Sequence, residues 1–364
     1  MNQIDNLFHS VFWAIGWRIV FFASLTWILY RVFRKLGTSA KSLDSAQRWQ
    51  SAKPAIGGMV FIVGFLMAAL PIAITQDGYF RIGFPWVLAS VIGAFFLGLA
   101  DDVFRISAGK KFAGQFVVAF LLLFSGQVSI YSGDSHSGLS IPLILEMCGI
   151  VLIVVAAMNS VNMLDNMDGI ATIAVLPVLF VGGFCDQGII GLHMIPALIG
   201  FLFLNWTPAK VYMGDSGSML LGVLVAFIIL SLNSCGEYPS YPHDLRTTIV
   251  VFLGSGAIFI CDTIVVIIQR LRHGVSPFKG GRDHTTHNLY YLGLKQWHIA
   301  IVTLLLCALQ VLLVLSFIHE LKSHHTRSFI EICSPILAYF FSLLSIHLLI
   351  SFRNLRKGKY SYNK

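Results

Sequence analysis

The chain has 364 residues, 56% of them hydrophobic and only 12% Asp, Glu, Lys or Arg, with a mean hydropathy of +0.78. Soluble domains carry about 25% charged residues, so an ordinary soluble enzyme, a disordered chain and a disulfide-stapled secreted module are all excluded. The formal charge of +8 reads as the Lys/Arg bias of the inner loops of a polytopic membrane protein, not as a nucleic-acid footprint.

Apolar stretches fall at about 8–30, 55–75, 84–100, 112–131, 141–158, 170–184, 188–205, 217–234, 247–269, 298–318 and 329–352. Each approaches the roughly 20 residues that cross a bilayer. The expected class is therefore all-α: a bundle of about eleven transmembrane helices forming one integral membrane domain, 1–364. No basic n-region precedes the first stretch, so it is expected to be a retained span and not a cleaved signal peptide. The six cysteines are scattered without a CxxC pair and read as small hydrophobes.

Basic residues set the orientation. One set of connections plus the C-terminal tail holds twenty Lys and Arg, and the other side, counting Arg18 in the first span, holds five. This bias places the N-terminus outside and the C-terminus in the cytoplasm. Six acids, Asp101, Asp102, Asp165, Asp168, Asp215 and Asp283, then fall near span ends on the inner face.

Four clusters on that face carry chemistry. Gly98-Leu99-Ala100-Asp101-Asp102 ends the third stretch; adjacent carboxylates at the hydrocarbon edge need a cation nearby, or else cap a helix. Asn159-Ser160-Val161-Asn162-Met163-Leu164-Asp165-Asn166-Met167-Asp168-Gly169 supplies amide and acid oxygens that suit a hard cation if a turn gathers them. Asn205, then Lys210-Val211-Tyr212-Met213-Gly214-Asp215-Ser216-Gly217-Ser218, opens the eighth stretch, where glycines and a helix N-terminus admit a phosphate, though a simple N-cap is the plainer use. The last is the basic loop with Arg270, Arg272, His273, Lys279, Arg282, Asp283, His284 and His287, a diphosphate partner set or merely a positive inner loop. Asp262, inside the ninth stretch, is either functional or a buried hydrogen-bonded structural acid.

These motifs, in order, spacing and sidedness, resemble the polyprenyl-phosphate N-acetylhexosamine-1-phosphate transferases of glycosyltransferase family 4. The resemblance runs from about residue 50 to 295 and is nearest the branch of undecaprenyl-phosphate GlcNAc-1-phosphate transferases. It implies a bacterial inner-membrane enzyme with a cytoplasmic site, moving an N-acetylhexosamine-1-phosphate from a UDP-sugar to undecaprenyl phosphate with Mg²⁺ (or Mn²⁺). By motif, Asp101, Asp102, Asp165 and Asp168 would be catalytic. Asp215 with Asp102 would ligate the metal. Lys53, Asn162, Asn205, Arg282, His284 and His287 would bind substrate. The partners would be the two substrates and the lipid bilayer, with no nucleic acid; a homodimer is left open. Thr286 stands where many relatives have His, and Lys53 (or Arg48) only loosely matches the basic residue ahead of Pro54, Gly57 and Gly58.

The sister branch, which transfers phospho-MurNAc-pentapeptide, carries three histidines followed by Phe-Glu where this loop reads His284-Thr285-Thr286-His287-Asn288. A secondary transporter is the rival of another class, but transporter sites lie near the bilayer midplane, whereas these acids sit at span ends. A CDP-alcohol phosphotransferase is disfavoured because Asp168-Gly169 continues Ile-Ala-Thr. Of the two chemical routes, direct displacement oriented by Asp101 or Asp102 is the simpler, and a covalent aspartyl-phosphate is the alternative.

Overall fold

The computed structural model describes residues 2–36, 53–75, 79–125, 141–183, 189–232, 245–277, 281–322 and 328–359. Among them it is all-helical, with no strand and one isolated parallel bridge between Ala55 and Tyr212. The helices are α1 (Asn2–Lys35), α2 (Gly57–Thr75), α3 (Tyr79–Phe104), α4 (Ala108–Phe124), α5 (Ile141–Leu164), α6 (Ile170–Gly182), α7 (Ile189–Asn205), α8 (Gly214–Leu232), α9 (Leu245–Ser255), α10 (Ala257–Arg272), α11 (Thr285–Tyr291), α12 (Gln296–Lys322) and α13 (Phe329–Arg356). Six of the described helices (α1, α3, α5, α8, α12 and α13) are long and apolar enough to cross a membrane, and a bent pair, α9 with α10, makes a seventh. The chain is a multi-pass membrane protein. Each of the eleven apolar stretches read from the sequence overlaps a helix among the described residues, and 126–131, 184, 188 and 233–234 lie outside them.

One of those stretches is not a single rod. The run expected over 247–269 breaks at Gly256, and α10 leaves α9 at 87°. Ser255-Gly256 supplies the break, since such pairs weaken the helical ladder. α10 gains a reason to turn aside: it carries Asp262, Gln269, Arg270 and Arg272, with Asp262, Val265, Val266 and Gln269 buried along one face.

α8 is the axis of the bundle. Its apolar window is 94% buried, against 11% for α1, and it packs on α2, α3, α5 and α6. Burial on all sides explains why it is apolar all round. Its N-terminus meets the C-terminus of α3 so closely that a Cβ on Gly98 would collide with the backbone carbonyl of Asp215. The α3–α4 connection then reverses in three residues, Arg105–Ser107, with Arg105 at φ 53°, and returns α4 against α3. Gly98→Val should therefore wedge α3 from α8 and cost about 1–3 kcal/mol, as overpacking does. Thermal unfolding of the detergent-solubilised variant checks this; a wild-type midpoint would show that the helices can part without loss.

Candidate active site

Asp102 builds the start of α8. Its Oδ1 and Oδ2 accept from the backbone N–H groups of Asp215 and Ser216, each at 2.9 Å. These are amides that a helix N-terminus leaves without intrahelical partners, so a carboxylate from α3 caps α8 from outside. Gly214, at φ 75°, lets the chain turn into the helix, and a Cβ there would press on Asp102. Asp102 thus aims Asp215 and turns its own oxygens to the α8 backbone.

The aimed group meets a cation. Lys111, on the first turn of α4 just ahead of its apolar run, places Nζ 2.7 Å from Asp101 Oδ2, 3.0 Å from Asp215 Oδ2 and 3.3 Å from Asn162 Oδ1. Asn162 Nδ2 in turn donates to Asp215 Oδ1 at 2.6 Å and to Ser218 Oγ at 2.8 Å. Burial alone would push the Lys111 ammonium down, but the Asp215 and Asp101 carboxylates more than offset it and hold its pKa above the ordinary lysine value. One turn on, Gln115 and Asn159 exchange hydrogen bonds, fixing α4 to α5.

Other expected site residues stand behind this cluster. Asp168 Oδ2 accepts from Ala209 N at 2.9 Å, and Lys53 Nζ lies 3.8 Å from Asp168 Oδ1 and over the Tyr212 ring. Asn205 donates to Val211 O and accepts from Thr172. The bridge at Ala55–Tyr212 adds the segment carrying Lys53 to the same loop, 206–213. These four elements hold the loop that leads into Gly214.

The opposite wall comes from α10 and α11. Arg270 binds Asp283 through both Nε and Nη2 at 2.8 Å and donates Nη1 to Pro277 O, so the basic loop is stapled to α10. Asp262 Oδ2 lies 2.8 Å from His284 Nδ1, and Asp262 Oδ1 accepts from Thr285 N at 2.6 Å. Thr286 Oγ1 donates to Asn166 Oδ1 at 2.5 Å, tying α11 to the α5–α6 turn. Arg282 is half-buried on this loop. His287 is fully buried with its ring 5.8 Å from that of His284. Burial, then the neighbouring His284, pushes its pKa down to about 3.

Between the walls lies a cavity of about 730 Å³. Of the residues expected from sequence, Asp101, Asn162, Asp165, Asp215 and His284 line it; Asp102, Asp168, Lys53, Asn205, Arg282 and His287 do not. Apolar side chains, among them Phe112, Leu152, Val155, Ala156 and Ile267, complete the lining. No group of three or more His, Cys, Asp or Glu arranged as metal ligands occurs among the described residues. Even so, three oxygens from Asp101, Asp215 and Asn162 already converge on one cation, the Lys111 ammonium. Two carboxylates and an amide oxygen fit Mg²⁺, which takes few protein ligands and completes its shell with water and phosphate oxygens.

Lys111 and Gln115 are what sequence reasoning missed. Lys111 counted only as an inner-loop charge; the available signal was Gln115, four residues on and so on the same helical face, polar within an apolar run.

The model of the family described as "Glycosyl transferase family 4" matches residues 84–233, which run from α3 to the end of α8. A phospho-N-acetylmuramoyl-pentapeptide-transferase of Helicobacter acinonychis is 30% identical over 300 residues, covering 70% of this chain and 79% of that protein. The chain belongs to glycosyl transferase family 4. Other similar family members carry different names. A decaprenyl-phosphate N-acetylglucosaminephosphotransferase of Mycobacterium tuberculosis is 28% identical, over 68% of each chain. A probable undecaprenyl-phosphate N-acetylglucosaminyl 1-phosphate transferase of Bacillus subtilis is 28% identical over 74% of this chain and 75% of that protein.

Two outcomes are expected. Lys111→Met leaves Asp101 and Asp215 facing one another without their cation, so turnover should fall at least ~10²-fold; Lys111→Arg should recover little, because a planar fork cannot place one nitrogen among three oxygens. A wild-type rate in Lys111→Met would remove Lys111 from the site. His287 bears on stability: the fold keeps it neutral, while the unfolded chain protonates it near pH 6.5. Its contribution is full above pH 6.5 and is lost as pH falls toward 3, by at most about 1.4 kcal/mol per pH unit. Melts in detergent between pH 6.5 and 5 should be flatter for His287→Asn than for wild type.

Proposed function

We propose that this family member transfers N-acetylhexosamine-1-phosphate, GlcNAc-1-phosphate above all, from a UDP-sugar to undecaprenyl phosphate, releasing UMP and starting a cell-surface polysaccharide. The observation that carries this reading is the mixed lining of the cavity. Its carboxylates, Lys111 and His284 suit phosphate chemistry, and its apolar residues Phe112, Leu152, Val155, Ala156 and Ile267 suit a lipid acceptor. The names of the Mycobacterium and Bacillus relatives, which speak of polyprenyl-type acceptors and GlcNAc, support it. In the bilayer we place the chain as eleven spans of the inner membrane, N-terminus outside, C-terminus and cavity cytoplasmic, on the strength of the Lys/Arg bias.

The lipid phosphate, with a second pKa near 6, is largely dianionic at neutral pH and needs no strong base to attack. What it needs is screening and alignment. An oxygen of the lipid phosphate attacks the sugar-linked phosphorus, the bond from that phosphorus to the bridging oxygen breaks, and UMP leaves with the electron pair. The Lys111 ammonium screens the approach of the two anions, and Asp101 and Asn162 fix its position. Asp102 keeps Asp215 oriented through the α8 amides. Because both Asp102 oxygens are engaged there, direct displacement is favoured over an aspartyl-phosphate on that residue. Asp165 and His284, on the same cavity, face the donor. Mg²⁺ would be held by Asp215 with Asp101, in place of the expected Asp102, whose oxygens are turned to the α8 amides, and would neutralise charge on the diphosphate.

A second reading, transfer of phospho-MurNAc-pentapeptide, has the Helicobacter relative's name in its favour. The sequence His284-Thr285-Thr286-His287 speaks against it, and Thr286 is occupied in tying α11 to Asn166. Purified protein given undecaprenyl phosphate, Mg²⁺ and a panel of UDP-sugars should make a butanol-extractable product with UDP-GlcNAc or a close UDP-N-acetylhexosamine and little with UDP-MurNAc-pentapeptide. EDTA should abolish the product. Preference for the muramyl substrate would reverse the branch, and full activity in EDTA would remove the metal.

A further inference from the structure

Asp262 is fully buried on α10 and reaches no substrate; it does not line the cavity. Yet it is the acid that α11 starts from. Its Oδ1 accepts from the Thr285 backbone N–H at 2.6 Å, and its Oδ2 lies 2.8 Å from Nδ1 of His284, the residue preceding α11. His284 does line the cavity, together with Asp101, Lys111 and Asp215. A carboxylate accepts hydrogen bonds and does not donate them, so Nδ1 must carry the proton, and Nε2 is left as the ring nitrogen available to the cavity.

We propose that Asp262 is a positioning residue: it fixes the tautomer and rotation of the His284 ring so that Nε2 meets the diphosphate of the sugar nucleotide. The proposal rests on the functional reading given above. Neighbouring contacts keep the pair rigid. Arg270 clamps Asp283 on one side of His284 through two 2.8 Å bonds. From α13, Asn354 Nδ2 donates to the backbone oxygen of Asn288 at 2.8 Å, and His347 Nδ1 lies 3.3 Å from Thr285 Oγ1. The α11 turn is thereby held from two helices, and the one freedom left to His284 is the spin of its ring. Asp262 removes that freedom.

The two bonds also say what a minimal substitution does. An Asn at 262 has one acceptor and one donor end. The Thr285 N–H is fixed by the backbone and claims the oxygen, so the amide NH₂ faces His284 Nδ1. The ring must then carry its proton on Nε2, the wrong tautomer, with almost no change in shape.

The test combines kinetics with the tautomer itself. With UDP-GlcNAc and undecaprenyl phosphate as substrates, Asp262→Asn and His284→Gln should each lower kcat by ~10²-fold, and the double variant should be no slower than the worse single one by more than about two-fold. Losses that multiply in the double variant would mean that Asp262 acts independently of His284, overturning the proposal. In ¹⁵N-histidine spectra of the whole protein, assigned with His284→Gln, wild-type His284 should be protonated at Nδ1, and its Nε2 signal should shift on adding UDP-GlcNAc. An unprotonated Nδ1 in the wild type would overturn the proposal even if Asp262→Asn failed to fold. If no UDP-N-acetylhexosamine were turned over by the wild type while Nδ1 proved protonated, the proposed reaction would fail and the orientation of His284 would stand.

Discussion

Lys111 is the group on which the acidic half of the site depends. Asp101 and Asp215 come from two helices whose backbones touch at Gly98, and carboxylates brought that close repel strongly at the edge of an apolar bundle. An ammonium with three oxygens around it neutralises most of that repulsion. The sharp return of α4 after Arg105 places the lysine opposite the two acids.

Around this cluster the chain uses polar residues as joinery. Asp102 caps α8, Asp168 and Asn205 hold the loop 206–213, and Arg270 with Asp283 secures the loop behind α10. Buried polar groups in such positions must be matched with partners, since water cannot satisfy them. Each therefore fixes one backbone segment, and the fixed segments between them carry Asp215, Asp165 and His284 to a common cavity. The bend at Gly256 belongs to the same scheme: it turns α10 so that Asp262 and Arg270 stand beside the loop they anchor.

Much of this was legible in the sequence, and the parts that were not have identifiable reasons. Hydropathy located all eleven apolar stretches, because each helix must be apolar where it is buried or meets lipid. It could not foresee the break in 247–269, since a short Ser-Gly pair hardly alters a hydropathy average. The Asp, Asn and Gly clusters drew attention to the right segments, but the same side chains serve equally as ligands or as caps. Only the folded arrangement separates Asp101 and Asp215, which line the cavity, from Asp102 and Asp168, which accept from backbone amides. Lys111 was hidden by its neighbour Lys110 and by the general basic bias of inner loops, which offers a sufficient explanation for any lysine found there.

The central claim is that the donor is cut between its sugar-linked phosphorus and the bridging oxygen, so that the sugar phosphate goes to the lipid and UMP leaves. The most direct measurement follows UDP-GlcNAc carrying ³²P only in the phosphate next to the sugar, incubated with the purified protein and undecaprenyl phosphate. The expected result is that all transferred label moves to the butanol phase with the lipid while the nucleotide product is unlabelled UMP. Label retained in an aqueous UDP product, with an unlabelled glycolipid, would contradict it.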